Sequence, residues 1–319
     1  MHFLHSLAIC ALMLAATHLR AQEIPEDIRI LVPLTAGSSL DARARIIADA
    51  IGKRLKRRVI VENRAGAGGT LGTSMVARSR PDGSILLFNN NSHVISPHIY
   101  ADIGYDPIRD FVPVAQAYVS GLVLVAHPDF GVNSLKELVA KARNSPQPPS
   151  YASSGTGGVP HLAMELFLSS AGIKLLHIPY KGDGQALTDV LAGRVPLLMS
   201  GYQVVLPHIQ SGRLRALAIT SRTRVAILPD VPTIAQSGYP DYVLDAWAGF
   251  FAPVGTPAAV VAKLNREIAA ALATPALREL LAATGAQTVG TPPGAFAEYV
   301  VQEWRTYGKL VRELQLKAQ

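Results

Sequence analysis

Apolar and polar residues follow two rhythms along this chain, short apolar runs of strand length and longer stretches with apolar residues three and four apart. Ile28 to Val32 is a short run of the first kind. It leads into Val32–Asp41, V-P-L-T-A-G-S-S-L-D, after which Leu40, Ala44, Ile47 and Ile51 recur at helical spacing. The stretch is therefore a strand-to-helix turn. Ser38 and Asp41 stand in the S-x-x-D relation of a capping box, which starts the helix at Ser38 or Ser39, and Gly37 allows a tight bend before it. Backbone N–H groups exposed at such a helix start, helped by the helix dipole, can hold an anion. Taken alone, an ordinary βα connection explains the turn as well.

The same alternation continues. Strands are predicted at Val59–Val61, Ser84–Phe88, Leu175–Pro179, Val195–Met199 and Arg215–Thr220, and helices at Thr70–Arg78, Leu135–Arg143 and from the loop Tyr180–Gly184 to Ala192. Asn89-Asn90-Asn91-Ser92 forms a polar tip at the end of its strand, where open α/β sheets take ligands, although a solvated loop reads equally well. Tyr151-Ala-Ser-Ser-Gly-Thr-Gly-Gly-Val-Pro-His161 is a second strand-to-helix turn of small hydroxyl residues and glycines, with Pro160 suited to the first helical turn. The region after Pro253 reads as helical, over Ala258–Ala273, Ala276–Ala283 and Pro293–Leu314. Two apolar stretches, Phe111–Ala126 and Val243–Pro253, are too long for single ordinary strands and can carry the chain from one lobe to another and back. The pattern thus predicts an α/β protein of two lobes around a cleft.

Composition adds a leader. Leu7–Ala16 is an almost unbroken apolar run, followed by Thr17–Ala21 and the polar Gln22-Glu23, the layout of a secretory signal peptide cut after Ala21. That run is too short for a permanent membrane helix. The one cysteine, Cys10, lies inside it, so the mature chain has no thiol for a disulfide, a nucleophile or a metal. Removing Arg20 leaves 29 basic against 23 acidic residues, a net charge of +6. These charges are scattered. The one cluster, Lys53–Arg58, closes a helix and suits its C-terminus, and without an aromatic platform it does not make a nucleic-acid surface.

Other chemistry fails on spacing. Gly66-Ala-Gly68-Gly-Thr-Leu71 places Leu71 where a dinucleotide fingerprint needs its third glycine, and no phosphate-loop lysine follows. A secreted serine hydrolase using Ser38, Ser153 or Ser154 with His161 and an aspartate is the alternative from another class, but the chain has no G-x-S-x-G elbow and no H-E-x-x-H. His161 has no neighbours at metal-ligand spacing and reads as a structural, hydrogen-bonding histidine.

The leader, V-P-x-x-A-G-S-S-x-D, V-E-N-R-A-G-A-G-G-x-x-G, R-P-D-G, Y-A-S-S-G-T-G-G-x-x-H, P-Y-K-G, L-P-D-V-P-T at Leu228–Thr233 and A-P-V-G-T-P at Ala252–Pro257 together resemble the tripartite tricarboxylate transporter solute-binding family, also called Bug receptors. The resemblance covers nearly all of the mature chain. It implies a type II periplasmic binding protein, a Venus flytrap of two α/β lobes joined by two crossing strands, with lobe 1 at 22–120 and 247–319 and lobe 2 at 121–246. It implies a periplasmic monomer that captures a small organic carboxylate without metal or cofactor, for membrane subunits of a tripartite transporter or a sensor kinase. Carried over residue by residue, the ligand would meet backbone N–H groups and ordered water at Thr35, Ala36, Gly37, Ser38 and Ser39, with Asp41 bracing the turn. Ser153, Gly155, Thr156, Gly157 and Gly158 would face them. Members commonly carry Gly-Gly where this chain has Gly37-Ser38. Asn90, Tyr180, Lys181, Ser200 and Tyr202 are expected at loop tips lining the cleft, with Lys181 a candidate partner for a second carboxylate.

Overall fold

The computed structural model describes residues 24–180, 182–242 and 244–316. The leader and Lys181 fall outside the described residues. The chain begins β1 (Asp27–Val32), α1 (Ser39–Leu55), β2 (Arg58–Asn63), α2 (Thr70–Ala77), β3 (Ile85–Asn90), α3 (Ser92–Ile99) and β4 (Phe111–Ser120). It then forms β5 (Leu122–Ala126), α4 (Leu135–Asn144), β6 (Ser150–Ser153), α5 (Val159–Ala171), β7 (Leu176–Pro179), α6 (Asp183–Leu191), β8 (Leu197–Gly201), α7 (Tyr202–Gln210) and β9 (Arg215–Ile219). It returns through β10 (Ala246–Pro253), α8 (Ala258–Leu272), α9 (Pro275–Ala282), β11 (Ala286–Thr291) and α10 (Pro293–Glu313).

The strands make two sheets, one of six strands in the order β11-β4-β10-β3-β1-β2 and one of five in the order β7-β6-β8-β5-β9. Each sheet mixes parallel pairs, β1 with β2 and β3 or β6 with β7 and β8, with antiparallel strands that follow the crossings. The apolar stretch Phe111–Ala126 divides at Gly121, giving β4 to the first sheet and β5 to the second. The second crossing runs from β9 to β10. Leu122 N–H donates to Thr220 Oγ1 at 2.8 Å and Thr220 N–H to the Leu122 carbonyl at 3.0 Å, so the two crossings are tied to each other.

The helical stripe predicted on α1 is buried: Leu40, Ala44, Ile47 and Ile51 pack with Ile28, Ile30 and Val32 of β1 in the core of the first lobe. A second core gathers Val123, Val125, Ala152, Val190, Leu198 and Val205 in the other lobe. Three elements differ from the sequence reading. Ala286–Thr291, inside the region read as helical, is an edge strand paired with β4. Residues 202–210 and 92–99 are helices despite Pro207 and Pro97 within them. The polar tip is not a loop, because β3 runs to Asn90 and Asn91 is fully buried. Asn91 Nδ2 donates to the Asp245 carbonyl at 3.1 Å and Oδ1 accepts Trp247 N–H at 2.9 Å, fastening the second crossing to the first lobe.

Candidate ligand-binding cleft

Both strand-to-helix turns face one cleft of about 800 Å3 between the sheets. The first turn supplies Leu34, Ser38, Ser39 and Leu40 to its wall, the second Ser154 to Pro160. Tyr100, Tyr118 and Trp247 add aromatic surface, and Asn90, Ser92 and Ser96 add polar surface from the end of β3 and the start of α3. Among the described lining residues, Arg43 is the one cation and Asp183 the one acid.

In the first turn, Gly37 has φ +80° and Ser38 is the N-cap, φ −66° and ψ 160°, whose hydroxyl accepts Asp41 N–H at 3.3 Å. Asp41, 3% exposed, reaches back to accept Gly37 N–H at 2.9 Å and also holds Arg45 and Asn63. Burial works to raise its pKa, but the hydrogen bonds from Arg45, Gly37 N–H and Asn63 outweigh it and hold the carboxyl below its usual range. Ser38 N–H is taken by the Thr35 carbonyl at 3.2 Å. Among the described residues, the N–H groups of Ser39 and Leu40 have no hydrogen-bond acceptor, as expected for the opening of a helix.

The second turn repeats this geometry. Gly157 has φ +75°, Gly158 is the N-cap at φ −69° and ψ 161°, and His161 Nδ1 accepts Gly157 N–H at 3.0 Å. Gly158 N–H goes to the Gly155 carbonyl at 3.3 Å and Gly155 N–H to Ser153 Oγ at 3.3 Å. Among the described residues, the N–H groups of Thr156 and Val159 have no hydrogen-bond acceptor. Burial, with His177 stacked at 3.9 Å, pushes His161 down to about 3, so it is neutral and its Nδ1 is an acceptor.

The candidate residues thus separate into three groups. Ser38, Ser39, Asn90, Gly155, Thr156, Gly157 and Gly158 line the cleft. Thr35, Ala36 and Gly37 form the exposed shoulder of the first turn, outside the wall, and Asp41 lies beneath it. Ser153, Ser200, Tyr180 and Tyr202 do not reach the cleft as loop tips. Ser153 and Ser200 are fully buried, the latter donating to Asp183 at 3.2 Å. Tyr180 turns its hydroxyl to Asp189 at 2.7 Å. Tyr202 begins α7 and is fully buried, its ring seated against Gly285 of the first lobe and its hydroxyl against Gly121 at the crossing. A side chain at either glycine would collide with it, so Tyr202 is a packing element of the hinge.

Sequence reasoning missed Leu40, Val159, Arg43, Tyr118, Gln203 and Trp247. For the first two the signal was present, because the first helical positions are where unpaired N–H groups occur.

A sequence model of the tripartite tricarboxylate transporter family receptor matches residues 43–316. The chain belongs to that receptor family. A curated relative, protein BugT of Bordetella pertussis, is 38% identical over 288 residues, covering 90% of this chain and 88% of its own. The solved periplasmic binding protein BugD is 34% identical with a TM-score of 0.82, covering 92% of this chain and all of its own. An R. palustris protein solved with adipate is 31% identical with a TM-score of 0.83, covering 90% of this chain and 96% of its own. The two-lobed periplasmic binding fold read from the motifs is the fold of this receptor, and it is a solute-binding protein, not an enzyme. The form of the serine hydrolase alternative that uses Ser153 also lacks its histidine locally. Ser153 contacts His177, at 2.7 Å, and not His161, and its hydroxyl is buried between that ring and Gly155.

Proposed function

We propose that this receptor closes its two lobes, 22–120 with 247–319 and 121–246, on a small organic carboxylate. In this reading it works in the periplasm as a monomer after loss of its leader, and hands the ligand to the membrane subunits of a tripartite tricarboxylate transporter or to a sensor kinase. The observation that carries the reading is the pair of opposed helix starts. Each contributes N–H groups without acceptors to one cleft, Ser39 and Leu40 from one lobe, Thr156 and Val159 from the other. Two helix dipoles directed at the same space favour an anion there. Each lobe alone offers half of the site, so the ligand favours closure because only the closed state lets both halves touch it. Adipate in the R. palustris relative is an acid of the expected class.

A thermal-shift screen of the mature protein against mono-, di- and tricarboxylates, aromatic acids and amino acids, with uncharged sugars and amides beside them, tests this. A ligand that binds only the native state raises the melting temperature by mass action. A rise with carboxylates supports the reading. No rise with any acid, but one with uncharged solutes, overturns it.

A further inference from the structure

Four basic residues lie along α1, and three of them have an acidic partner: Arg45 with Asp41, Lys53 with Asp49 and Arg54 with Glu267. Arg43 is the exception, and it is the most buried of the four, at 6% exposure. Among the described residues, all of its contacts are neutral. Nε donates to Thr284 Oγ1 at 3.1 Å, Nη2 donates to the Thr284 carbonyl at 2.8 Å and to Gln203 Oε1 at 2.6 Å, and the guanidinium lies 4.7 Å from the centre of the Tyr118 ring. None of these bonds uses Nη1. A buried charge is costly unless it is paired, and breaking such a pair leaves an uncompensated ion inside the protein. Arg43 lines the cleft, where an anionic group could complete it. Asp183 belongs to the other lobe and is engaged by Ser200.

Position adds a length to the chemistry. Arg43 follows Ser39 by four residues on the same face of α1, about 6 Å along the axis. A carboxylate seated on the Ser39 and Leu40 N–H groups would therefore have a guanidinium within the span of a short carbon chain. Gln203 comes from the second lobe, so the guanidinium is held in place where the lobes meet.

We infer that Arg43 pairs a second carboxylate of the ligand and makes this receptor selective for short dicarboxylates. The inference rests on the carboxylate reading proposed above and assigns the ligand's second charge to one residue. Nη1 keeps two N–H donors, so a carboxylate can be bound there without breaking the bonds that hold the guanidinium in place.

The test is calorimetric titration of the mature protein with succinate, glutarate and adipate and with the monoamide of each, which keeps the length but removes one charge. The parent should bind its preferred diacid at least about tenfold more tightly than the matching monoamide, since a hydrogen bond to a charged group is worth at least that factor. In Arg43→Gln this gap should shrink to below about threefold while monoamide affinity stays near the parental value, and Arg43→Lys should show an intermediate gap. Equal binding of diacid and monoamide by the parent overturns the inference and leaves the carboxylate reading standing. So does an equal loss of both ligands in Arg43→Gln, which would make Arg43 a structural tie between the lobes. Should Arg43→Gln fail to fold, a parental gap in Arg43→Lys overturns it. Failure of the parent to bind any of these acids overturns the inference, and no rise with any acid in the wider thermal-shift screen overturns the carboxylate reading as well.

Discussion

The two cleft turns solve one geometric problem with different side chains. In each, a glycine with φ near +75° to +80° precedes an extended N-cap, and the third helical residue reaches back four positions to accept that glycine's N–H. The acceptor is the Asp41 carboxylate in the first lobe and the neutral His161 imidazole in the second. The shared part is the backbone path, which leaves the first helical N–H groups free. The differing part sets how each turn answers to charge. The carboxylate is fixed by Arg45 and Asn63, whereas the imidazole is stacked against His177 in a buried site, with the Glu165 carboxylate 3.9 Å from its Nε2. The comparison also reassigns the glycines. Gly37 N–H and Gly157 N–H are used to hold the turns, so the donors left for a ligand are their neighbours, Ser39 and Leu40 in one turn and Thr156 and Val159 in the other.

Alanine at the two glycines gives the largest contrast. A left-handed φ costs a residue with a Cβ about 1–2 kcal/mol, and that cost applies to both positions. At Gly37 the added carbon meets nothing within 4 Å. At Gly157 it collides with the side chain of Ile99, which belongs to the opposite lobe. Overpacking of that kind costs a further 1–3 kcal/mol or so unless the lobes part. Gly157→Ala should therefore lower stability by roughly 2–5 kcal/mol, or hold the cleft open and weaken ligand far more than Gly37→Ala does. Denaturant melts and ligand titration on the two variants decide this. Equal effects at both sites would remove Ile99 from the account.

Proline at the first helical residue is a milder and more local probe. Ser39 and Val159 both follow an N-cap whose extended backbone accepts a proline next, and proline is tolerated at this position because its missing N–H has no partner in the helix. Ser39→Pro and Val159→Pro thus each delete one proposed donor and leave the helix intact. A hydrogen bond to a charged group is worth about 1.5–3 kcal/mol, so each variant should lose roughly ten- to a hundredfold in carboxylate affinity with an unchanged melting temperature without ligand. Loss at one turn only would break the symmetry of the two, and loss at neither would show that the N–H groups are not the grip.

Much of this was legible because it is local. Gly37 with Ser38, and Gly157 with Gly158, sit between a strand pattern and a helix pattern, and both turns are found from that alone. Which N–H groups remain free was not, because it depends on the back-bonds from Asp41 and His161, a matter of side-chain direction. Tyr202 reads as a cleft tip after a strand and is instead buried, since α7 starts at that residue and turns its ring into the hinge. Arg43 is not singled out by the sequence at all. Its burial comes from Gln203 and Thr284, 160 and 241 residues away in sequence, and no periodicity within the helix signals them.

The smallest effect separates the two acceptors by pH. The folded protein holds His161 neutral down to about 3 because burial disfavours the imidazolium, whereas an unfolded histidine takes a proton near its ordinary value of 6.5. The unfolded state then binds more protons between these values, so the stability is complete above about pH 6.5 and declines as pH falls toward 3. At pH 5 the loss through His161 is about 1–2 kcal/mol. Asp41 is lowered from 3.8, so its contribution persists above that value and declines only below it. Glu303 works in the opposite sense, since burial raises it to about 7 and its share of stability is lost as pH rises from its ordinary value of 4.5 through 7. The difference between the parent and His161→Gln, which keeps an acceptor but does not titrate, cancels that contribution. Chemical denaturation of both at pH 7.5 and pH 5 should show the parent losing about 1–2 kcal/mol more than the variant. Identical losses would mean that His161 is charged in the folded protein, and its Nδ1 could not then accept Gly157 N–H.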